Sequence, residues 1–227
     1  MKPQDGHRSP NMPNSDDKLI SIVVPLYNEG QTVDYFYTAL CEVINGIDGI
    51  NFELVCVDDG SSDETLNHLL AIVRRDPRVH VIELSRNFGK EAALSAGLDA
   101  ARGDAVIPID ADLQDPPELI PALISEWKNG AEVVLACRED RASDTFFKRS
   151  TAAGFYRVHN WLSPVKIPEN AGDFRLLDRT VLEALKQLPE RQRFMKGLFA
   201  WVGFKTTSVG YRRNPLTCPL RVVRWQC

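Results

Sequence analysis

Short apolar runs with strand character alternate with segments of helical periodicity over most of this sequence. Strand character is found at 19–24, 52–57, 79–84, 105–109 and 132–136, and helical spacing at 32–47, in a segment ending near 75, at 89–102 and from 116 onward. Strands separated by helices in this way pair in parallel and are covered on both faces. The alternation therefore predicts an α/β fold, with a Rossmann-like, mainly parallel sheet flanked by helices.

The two ends of the sequence are less regular than this central part. Helical spacing returns at 146–162 and 178–188, and 204–211 has strand character. Residues 1–17 are rich in Pro, Asn, Asp and Ser, and we expect them to form a disordered leader.

Composition excludes several classes of protein. The 227 residues are 44% hydrophobic and 26% charged with a net charge of −4, which gives no bias toward nucleic acid. No apolar run reaches the length of about 18 to 20 residues that a membrane-spanning helix needs. The five cysteines form no C-x-x-C pair, which favours buried, reduced thiols.

Three polar clusters follow predicted strands, each at the point where the apolar run ends. They are Asn28–Glu29, Asp58–Asp59 and the D-A-D segment of Asp110 and Asp112. In open α/β sheets, ligands bind outside the carboxyl ends of the strands. We therefore expect these clusters, which are far apart in sequence, to meet at one edge of the sheet and form a functional site.

The carboxylates of Asp110 and Asp112 are separated by one residue just past a buried strand. In extended backbone, residues two apart point the same way, so both carboxylates can face one ion. Mg²⁺ and Mn²⁺ prefer such oxygen ligands together with substrate phosphates. The pair, with Gln114 adjacent, favours a divalent-metal site; the alternative is a solvated loop whose aspartates cap a helix.

Three further segments have both a functional and a purely structural interpretation. Asp58 and Asp59 can accept hydrogen bonds from a base or ribose, or can form only a turn and a helix N-cap. Lys90 opens a helix, whose N-terminus favours an anion, although a loop with a surface lysine is equally consistent. The basic stretch from Arg138 to Arg157 is either a phosphate-binding or a solvated face. No G-x-G-x-x-G or G-x-x-x-x-G-K-[ST] motif follows a strand, which disfavours dehydrogenases and P-loop NTPases.

Longer motifs surround these clusters. They are V-P-L-Y-N-E (24–29), V-D-D-G-S-S-D (57–63), S-R-N-F-G-K-E (85–91), D-A-D-L-Q-D-P-P-E (110–118), G-D-F-R-L (172–176) and R-F-M-K-G-L (193–198). Together they resemble glycosyltransferase family 2, specifically the polyprenyl-phosphate branch that contains dolichol-phosphate mannose synthases and bactoprenol glucosyltransferases. The resemblance implies a GT-A catalytic domain over residues 18–215.

The resemblance also implies a role for each residue that matches a family motif on the donor side. A nucleotide-sugar donor would be bound by Pro25, Tyr27 and Glu29, with Asp58 nearby and Asp59 on the base. Asp110 and Asp112, with Gln114, would hold Mg²⁺ or Mn²⁺ against the diphosphate. Lys90, from its position at a helix N-terminus, is a further candidate for binding the donor.

On the acceptor side, Arg138 and Arg149 resemble the arginines that meet the phosphate of a polyprenyl-phosphate acceptor. Asp173 resembles a residue of the acceptor loop, or is a turn carboxylate before a strand. Such a lipid phosphate has a second pKa of about 6, so it is already a nucleophilic dianion and hardly needs a general base. The implied reaction is an inverting, in-line displacement on the cytoplasmic side of the bacterial inner membrane.

The match ends abruptly after the Y-R-R-N-P segment at 211–215. The family continues with a second arginine, where this sequence has Leu216, then a G-x-[ST]-K segment and two membrane helices. Residues 216–227 are therefore interpreted as an atypical tail from a frameshift or a truncated gene product.

The function implied is transfer of a sugar, with UDP-glucose as the best guess for the donor, to undecaprenyl phosphate. Two alternatives remain open. One is a soluble family 2 enzyme with a saccharide acceptor, and the other is a fragment that binds nucleotide-sugar with little activity. Homo-oligomerisation also remains open.

Overall fold

The computed structural model describes residues 18–138, 171–187 and 204–211, without the side chains of 138 and 171–173. The leader at 1–17, the predicted helix at 146–162, Arg149 and the tail at 216–227 lie outside the described residues.

Up to β5, the described strands alternate with helices in the order that the sequence predicts. The strands are β1 (Lys18–Leu26), β2 (Ile50–Asp58), β3 (Val79–Glu83), β4 (Ala105–Pro108), β5 (Val133–Arg138), β6 (Ala171–Asp178) and β7 (Thr206–Tyr211). The helices are α1 (Val33–Ile44), α2 (Thr65–Arg75), α3 (Lys90–Ala100), α4 (Ile120–Lys128), which follows a 3-10 turn at Pro117–Leu119, and α5 (Arg179–Lys186).

All seven described strands belong to one sheet, in the order β3-β2-β1-β4-β6-β5-β7. The pairs β1–β2, β2–β3, β1–β4 and β5–β7 are parallel, whereas β6 is antiparallel to both β4 and β5. The prediction of an α/β fold with a mainly parallel sheet is confirmed. The antiparallel β6 was not predicted.

The core lies on both faces of the sheet, as the continuous apolar runs of the strands require. In β1, Ile20, Ile22 and Val24 join a cluster with α1, α2 and α4, while Val23 joins a second cluster with α3 and α5. A side chain added at Gly97 of α3 would collide with Val23. This helix therefore packs against β1 at a separation that only glycine permits.

Pro25 lies inside β1 and does not end it, contrary to the expectation that this strand stops at residue 24. It pairs with Val57 in the parallel register of β1 and β2. Val23 accepts a hydrogen bond from the Ile109 amide on the β4 side, and Leu26 accepts one from the Asp59 amide on the β2 side. Because successive residues alternate sides, the nitrogen of Pro25 faces the β4 side, beyond the last residue of β1 that pairs with β4. The strand thus loses no hydrogen bond at this proline.

An ion pair between a buried aspartate and a partly exposed arginine lies directly after α2. The Asp76 carboxylate accepts hydrogen bonds from the Arg78 guanidinium and from the Tyr37 hydroxyl of α1, at 2.8 Å each. Its Arg78 hydrogen bonds, above all, lower the pKa of Asp76 to about 2. The folded pKa lies below the ordinary 3.8, so this carboxylate contributes stability above pH 4 that is lost as the pH falls toward 2.

We expect Asp76→Asn to destabilise the chain by about 2 kcal/mol at pH 7, because the pKa difference is close to two units. The difference from wild type should shrink steadily as the pH falls below 4. Urea unfolding at pH 7, 4 and 3 tests this, with the exposed Asp48→Asn as control. A loss that stays constant over this range would show that Asp76 acts by packing alone.

Candidate functional site

The three polar clusters meet at the carboxyl edge of the sheet. Leu26, at the end of β1, pairs with Asp58, at the end of β2. Ile109, just past β4, donates to the carbonyl of Val23 in the neighbouring β1. The parallel register thus brings the three strand ends together, as the sequence predicts.

Hydrogen bonds between side chains and backbone join the loop after β1 to the loop after β2, and we call these contacts the loop clasp. The backbone N–H of Asn28 donates to Ser61 Oγ at 2.9 Å, and the backbone N–H of Glu29 donates to Thr65 Oγ1 at 2.8 Å. In return, Asn28 Oδ1 accepts from the Ser62 amide at 2.9 Å. Asn28 adopts the left-handed conformation, with φ of 54°, which asparagine tolerates better than most residues. The loop clasp fixes the position of Glu29 at the carboxyl edge of the sheet, which we call the rim.

The rim carries a concentration of negative charge around Glu29. Burial is the main cause that raises the pKa of Glu29, and the nearby carboxylates of Asp112, Asp63 and Asp110 raise it further. The hydroxyl of Thr32 opposes the shift by donating to Glu29 Oε2 at 2.6 Å. Carboxylates from three separate strand ends therefore lie close enough to repel one another.

Asp58 and Asp59 have different environments despite being neighbours. Both oxygens of the fully buried Asp59 accept backbone hydrogen bonds, from the amides of Phe88 at 2.8 Å and Gly89 at 2.9 Å. Asp58 Oδ2 accepts from the Ser61 amide at 3.2 Å, whereas its buried Oδ1 has no partner among the described residues. Asp59 thus anchors the backbone of the loop before α3, a structural role that its sequence pattern did not predict.

Lys90 forms an ion pair with the first aspartate of the D-A-D segment. Its ammonium Nζ lies 2.7 Å from Asp110 Oδ2, and about a quarter to a third of each side chain is exposed. Lys90 is the first residue of α3, so it joins that helix to the end of β4. The structure therefore brings Lys90 into the site, where its ammonium pairs with a carboxylate of the D-A-D segment.

The D-A-D segment turns away from the strand direction, which corrects the assumption of extended backbone. β4 ends at Pro108, and Ala111 and Asp112 lie in a turn. Asp112 is exposed, and its Oδ1 accepts from the Gln114 amide at 2.9 Å. Leu113, between them, adopts a left-handed φ of 54°. The tight turn, and not strand geometry, sets the directions of the two carboxylates.

A buried hydrogen bond ties this turn to the far end of the sheet. The Tyr211 hydroxyl at the end of β7 donates to Asp115 Oδ1 at 2.6 Å, and both residues are buried. No local pattern indicates this contact, because 96 positions separate its partners. The Ser61 and Thr65 contacts of the loop clasp were also missed, although Ser and Thr after a strand are typical of such turns.

The remaining predicted residues are located by their backbone. Pro25 lies in β1 and Tyr27 directly after it, half-buried. Arg138 ends β5, which runs parallel to β7 and points to the same edge. Asp173 lies in β6, not in a loop, near the beginning of this antiparallel strand and hence at the same edge.

The described side chains at this edge of the sheet offer a divalent cation only part of its coordination. No group of three or more His, Cys, Asp or Glu side chains within 18–138, 171–187 and 204–211 could hold a metal ion. Mg²⁺ in enzymes commonly uses one or two carboxylates plus substrate phosphates. Asp110 and Asp112, with Gln114 beside them, match this habit of incomplete protein coordination.

The sequence matches the model of glycosyl transferase family 2 over residues 21–186, and the chain belongs to this family. It is 52% identical over 196 residues to an uncharacterised glycosyltransferase of Synechocystis, covering 86% of this chain and 61% of that protein. It is 50% identical over 194 residues to a prophage bactoprenol glucosyl transferase homolog of Escherichia coli, covering 86% and 63%. The chain thus spans about three fifths of the length of these relatives.

Solved structures agree on the fold. A mannosyltransferase from Pyrobaculum calidifontis, in complex with GDP-Man and Mn²⁺, aligns with a TM-score of 0.59 at 20% identity, covering 84% of this chain and 54% of that one. Glucosyl-3-phosphoglycerate synthase from Mycobacterium tuberculosis, with Mn²⁺ and UDP, aligns with a TM-score of 0.54 at 23% identity, covering 88% and 73%. The predicted GT-A fold is confirmed. Within the described residues, no helix is both long and apolar enough to cross a membrane.

The charge at the rim predicts a stability effect of Glu29. Since its folded pKa is raised above 4.5, Glu29 favours folding below that pH, and this contribution is lost as the pH rises through the folded value. We expect Glu29→Gln, which keeps an oxygen for the Thr32 hydroxyl, to be more stable than wild type at pH 7 by up to about 1 kcal/mol. The gain should close toward pH 4.

Urea unfolding in EDTA at pH 4 and pH 7 measures this effect. The exposed Glu42→Gln on α1 is the matched control, and it should leave stability unchanged at both pH values. A Glu29→Gln variant less stable than wild type at pH 7 would show that the loop clasp needs the charged carboxylate.

Proposed function

We propose that this chain is the catalytic domain of an inverting glycosyltransferase that moves a sugar from a nucleotide-sugar donor to a polyprenyl phosphate. One observation carries the proposal: Glu29, Asp63, Asp110 and Asp112, from three strand ends, converge on one rim of a GT-A sheet. The identity of about one half with bactoprenol glucosyl transferases supports the choice of acceptor class.

On the donor side, we assign the roles of the residues from their positions at the strand ends. Asp58 Oδ1, which has no partner among the described residues, is proposed to accept from an N–H or hydroxyl of the nucleoside. Pro25 and Tyr27 flank Leu26, which pairs with Asp58. Glu29 is proposed to bind the same donor. Asp59 acts here indirectly, because its two backbone hydrogen bonds hold the Phe88–Gly89 loop.

Asp110 and Asp112, with Gln114, hold Mg²⁺ or Mn²⁺ in this proposal. The cation supplies positive charge that stabilises the leaving diphosphate. Mn²⁺ is bound by the mannosyltransferase and the synthase that share the fold, which supports a divalent ion here. Asp112 is exposed and Asp110 is only partly buried, so solvent, and hence a diphosphate, can reach both carboxylates.

On the acceptor side, a lipid phosphate oxygen attacks the anomeric carbon while the bond from that carbon to the diphosphate oxygen breaks. The phosphate is already a dianion near neutral pH, so no side chain has to remove a proton. Arg138 and Arg149 are proposed to bind this phosphate, with Asp173 of β6 on the acceptor side. The reaction would take place at the cytoplasmic face of the membrane, where UDP-glucose is our proposed donor and undecaprenyl phosphate our proposed acceptor.

A donor panel tests the proposal directly. The full chain is incubated with UDP-glucose, UDP-GlcNAc or GDP-mannose, Mn²⁺ and undecaprenyl phosphate, and the glycolipid is measured. Undecaprenol, which lacks the phosphate, is the matched acceptor control, and a soluble saccharide is a third arm. We expect transfer from UDP-glucose to the phosphate-bearing lipid alone. Transfer to the saccharide would contradict the acceptor, and donor binding without transfer to any acceptor would contradict the enzyme proposal.

A further inference from the structure

The ion pair between Lys90 and Asp110 places a protein cation at the proposed metal site. Lys90 Nζ lies 2.7 Å from Asp110 Oδ2, inside the distance of a charge-assisted hydrogen bond. Asp110 is one of the carboxylates that raise the pKa of Glu29, so the ammonium meets the rim where its negative charge is concentrated. A divalent cation at Asp110 and the Lys90 ammonium would therefore compete for the same oxygen.

We propose that the Lys90 ammonium is the counter-ion of Asp110 until a divalent cation binds. When the cation binds Asp110, the ammonium leaves this carboxylate and contacts the diphosphate of the donor. The inference rests on the proposed function and adds a residue that links cation binding to donor binding. The lysine is suited to this exchange because its chain of four methylenes is flexible and its ammonium makes hydrogen bonds in any direction.

The position of Lys90 supports the second half of the exchange. It is the first residue of α3, an 11-residue helix whose N-terminus carries partial positive charge. Asp59 holds the preceding Phe88–Gly89 backbone, so the base of the lysine stays fixed while its ammonium moves. A diphosphate against Asp110 and Asp112 would be within reach of the same side chain.

The exchange predicts effects of opposite sign when the ammonium is removed. In Lys90→Met, Mn²⁺ alone should bind about three- to tenfold more tightly, because a partly exposed competing cation is gone. At saturating Mn²⁺, UDP should bind about tenfold more weakly, because a charged partner of the diphosphate is lost. A purely structural role of Lys90 would weaken both.

Titration of the full chain with Mn²⁺, and then with UDP at saturating Mn²⁺, measures both affinities at one fixed pH. Lys18→Met is the matched control. Lys18 Nζ lies 3.4 Å from Asp104 Oδ1, and this pair is remote from the strand-end clusters. The variant should therefore match wild type in both affinities. Lys90→Arg keeps the charge and should leave the Mn²⁺ affinity near the wild-type value.

Three results would overturn the inference: an unchanged Mn²⁺ affinity in Lys90→Met, changes of the same sign for Mn²⁺ and UDP, or a wild-type chain that binds UDP but no Mn²⁺. The proposed function fails separately. If the two affinities move in opposite directions and no donor supports sugar transfer, Lys90 has the inferred role and the transferase proposal is wrong.

Discussion

Gly60→Ala is expected to destabilise the chain by more than about 3 kcal/mol and to abolish binding of a nucleotide donor. Gly60 has φ of +66°, which costs an alanine about 1–2 kcal/mol. The larger part of the destabilisation comes from a steric clash. An added Cβ would lie 2.7 Å from Arg86 Cα and from the Asn87 nitrogen, and nearer still to the Arg86 carbonyl carbon. These atoms are backbone, so no side-chain rotation relieves the contact.

The collision would also damage the site, because the displaced backbone belongs to the loop that Asp59 holds. Pushing residues 86–87 outward pulls the Phe88 and Gly89 amides from the buried Asp59 carboxylate, which would then lack partners. A buried charge without hydrogen bonds is costly, so the loop would reorganise or the chain would unfold. Lys90, directly after this loop, would move with it.

Gly49→Ala is the matched control for this experiment. Gly49 has a similar φ of +69°, but an added Cβ would meet nothing within 4 Å. It should therefore lose only the 1–2 kcal/mol of backbone strain. Urea unfolding of both variants separates conformational strain from the close approach of the two loops. Equal losses in the two variants would mean that the loops do not approach each other as described.

The parts of the fold that could be predicted depend on local sequence. β2 and α1 follow from apolar runs and helical spacing within about 15 residues, and the meeting of Glu29, Asp58 and Asp110 follows from parallel pairing alone. The location of the site at this edge of the sheet follows from strand topology, so it can be predicted without knowing any side-chain contact.

The parts that could not be predicted depend on partners that are distant in sequence. Pro25 can remain in a strand only because β4 ends beside it, and nothing near residue 25 indicates where β4 ends. The same holds for Lys90, whose distance to Asp110 depends on how α3 packs against β1. Motif resemblance named Lys90 and Asp110 separately, but only the structure joins them.

The second large effect concerns charge at the turn of the D-A-D segment. Asp112→Asn is expected to lower sugar transfer by at least about 100-fold, because the carboxylate is the exposed one that can face a cation on the diphosphate. The substitution tests charge alone, since the asparagine oxygen can still accept the Gln114 amide that Asp112 now accepts at 2.9 Å. Stability should therefore stay within about 0.5 kcal/mol of wild type, as for other surface substitutions.

Asp173→Asn gives the comparison that separates cation binding from proton removal. If the acceptor phosphate is a dianion that needs no general base, this variant should lose less than about tenfold in transfer near pH 7. Transfer rates at saturating Mn²⁺ measure both variants, with the exposed Asp48→Asn, in the loop before β2, as control for the loss of a surface carboxylate. Mn²⁺ affinity should fall in Asp112→Asn and stay unchanged in Asp173→Asn. Comparable losses of transfer in the two variants would mean that Asp173 takes part in the displacement itself, as a base or as a ligand of the acceptor.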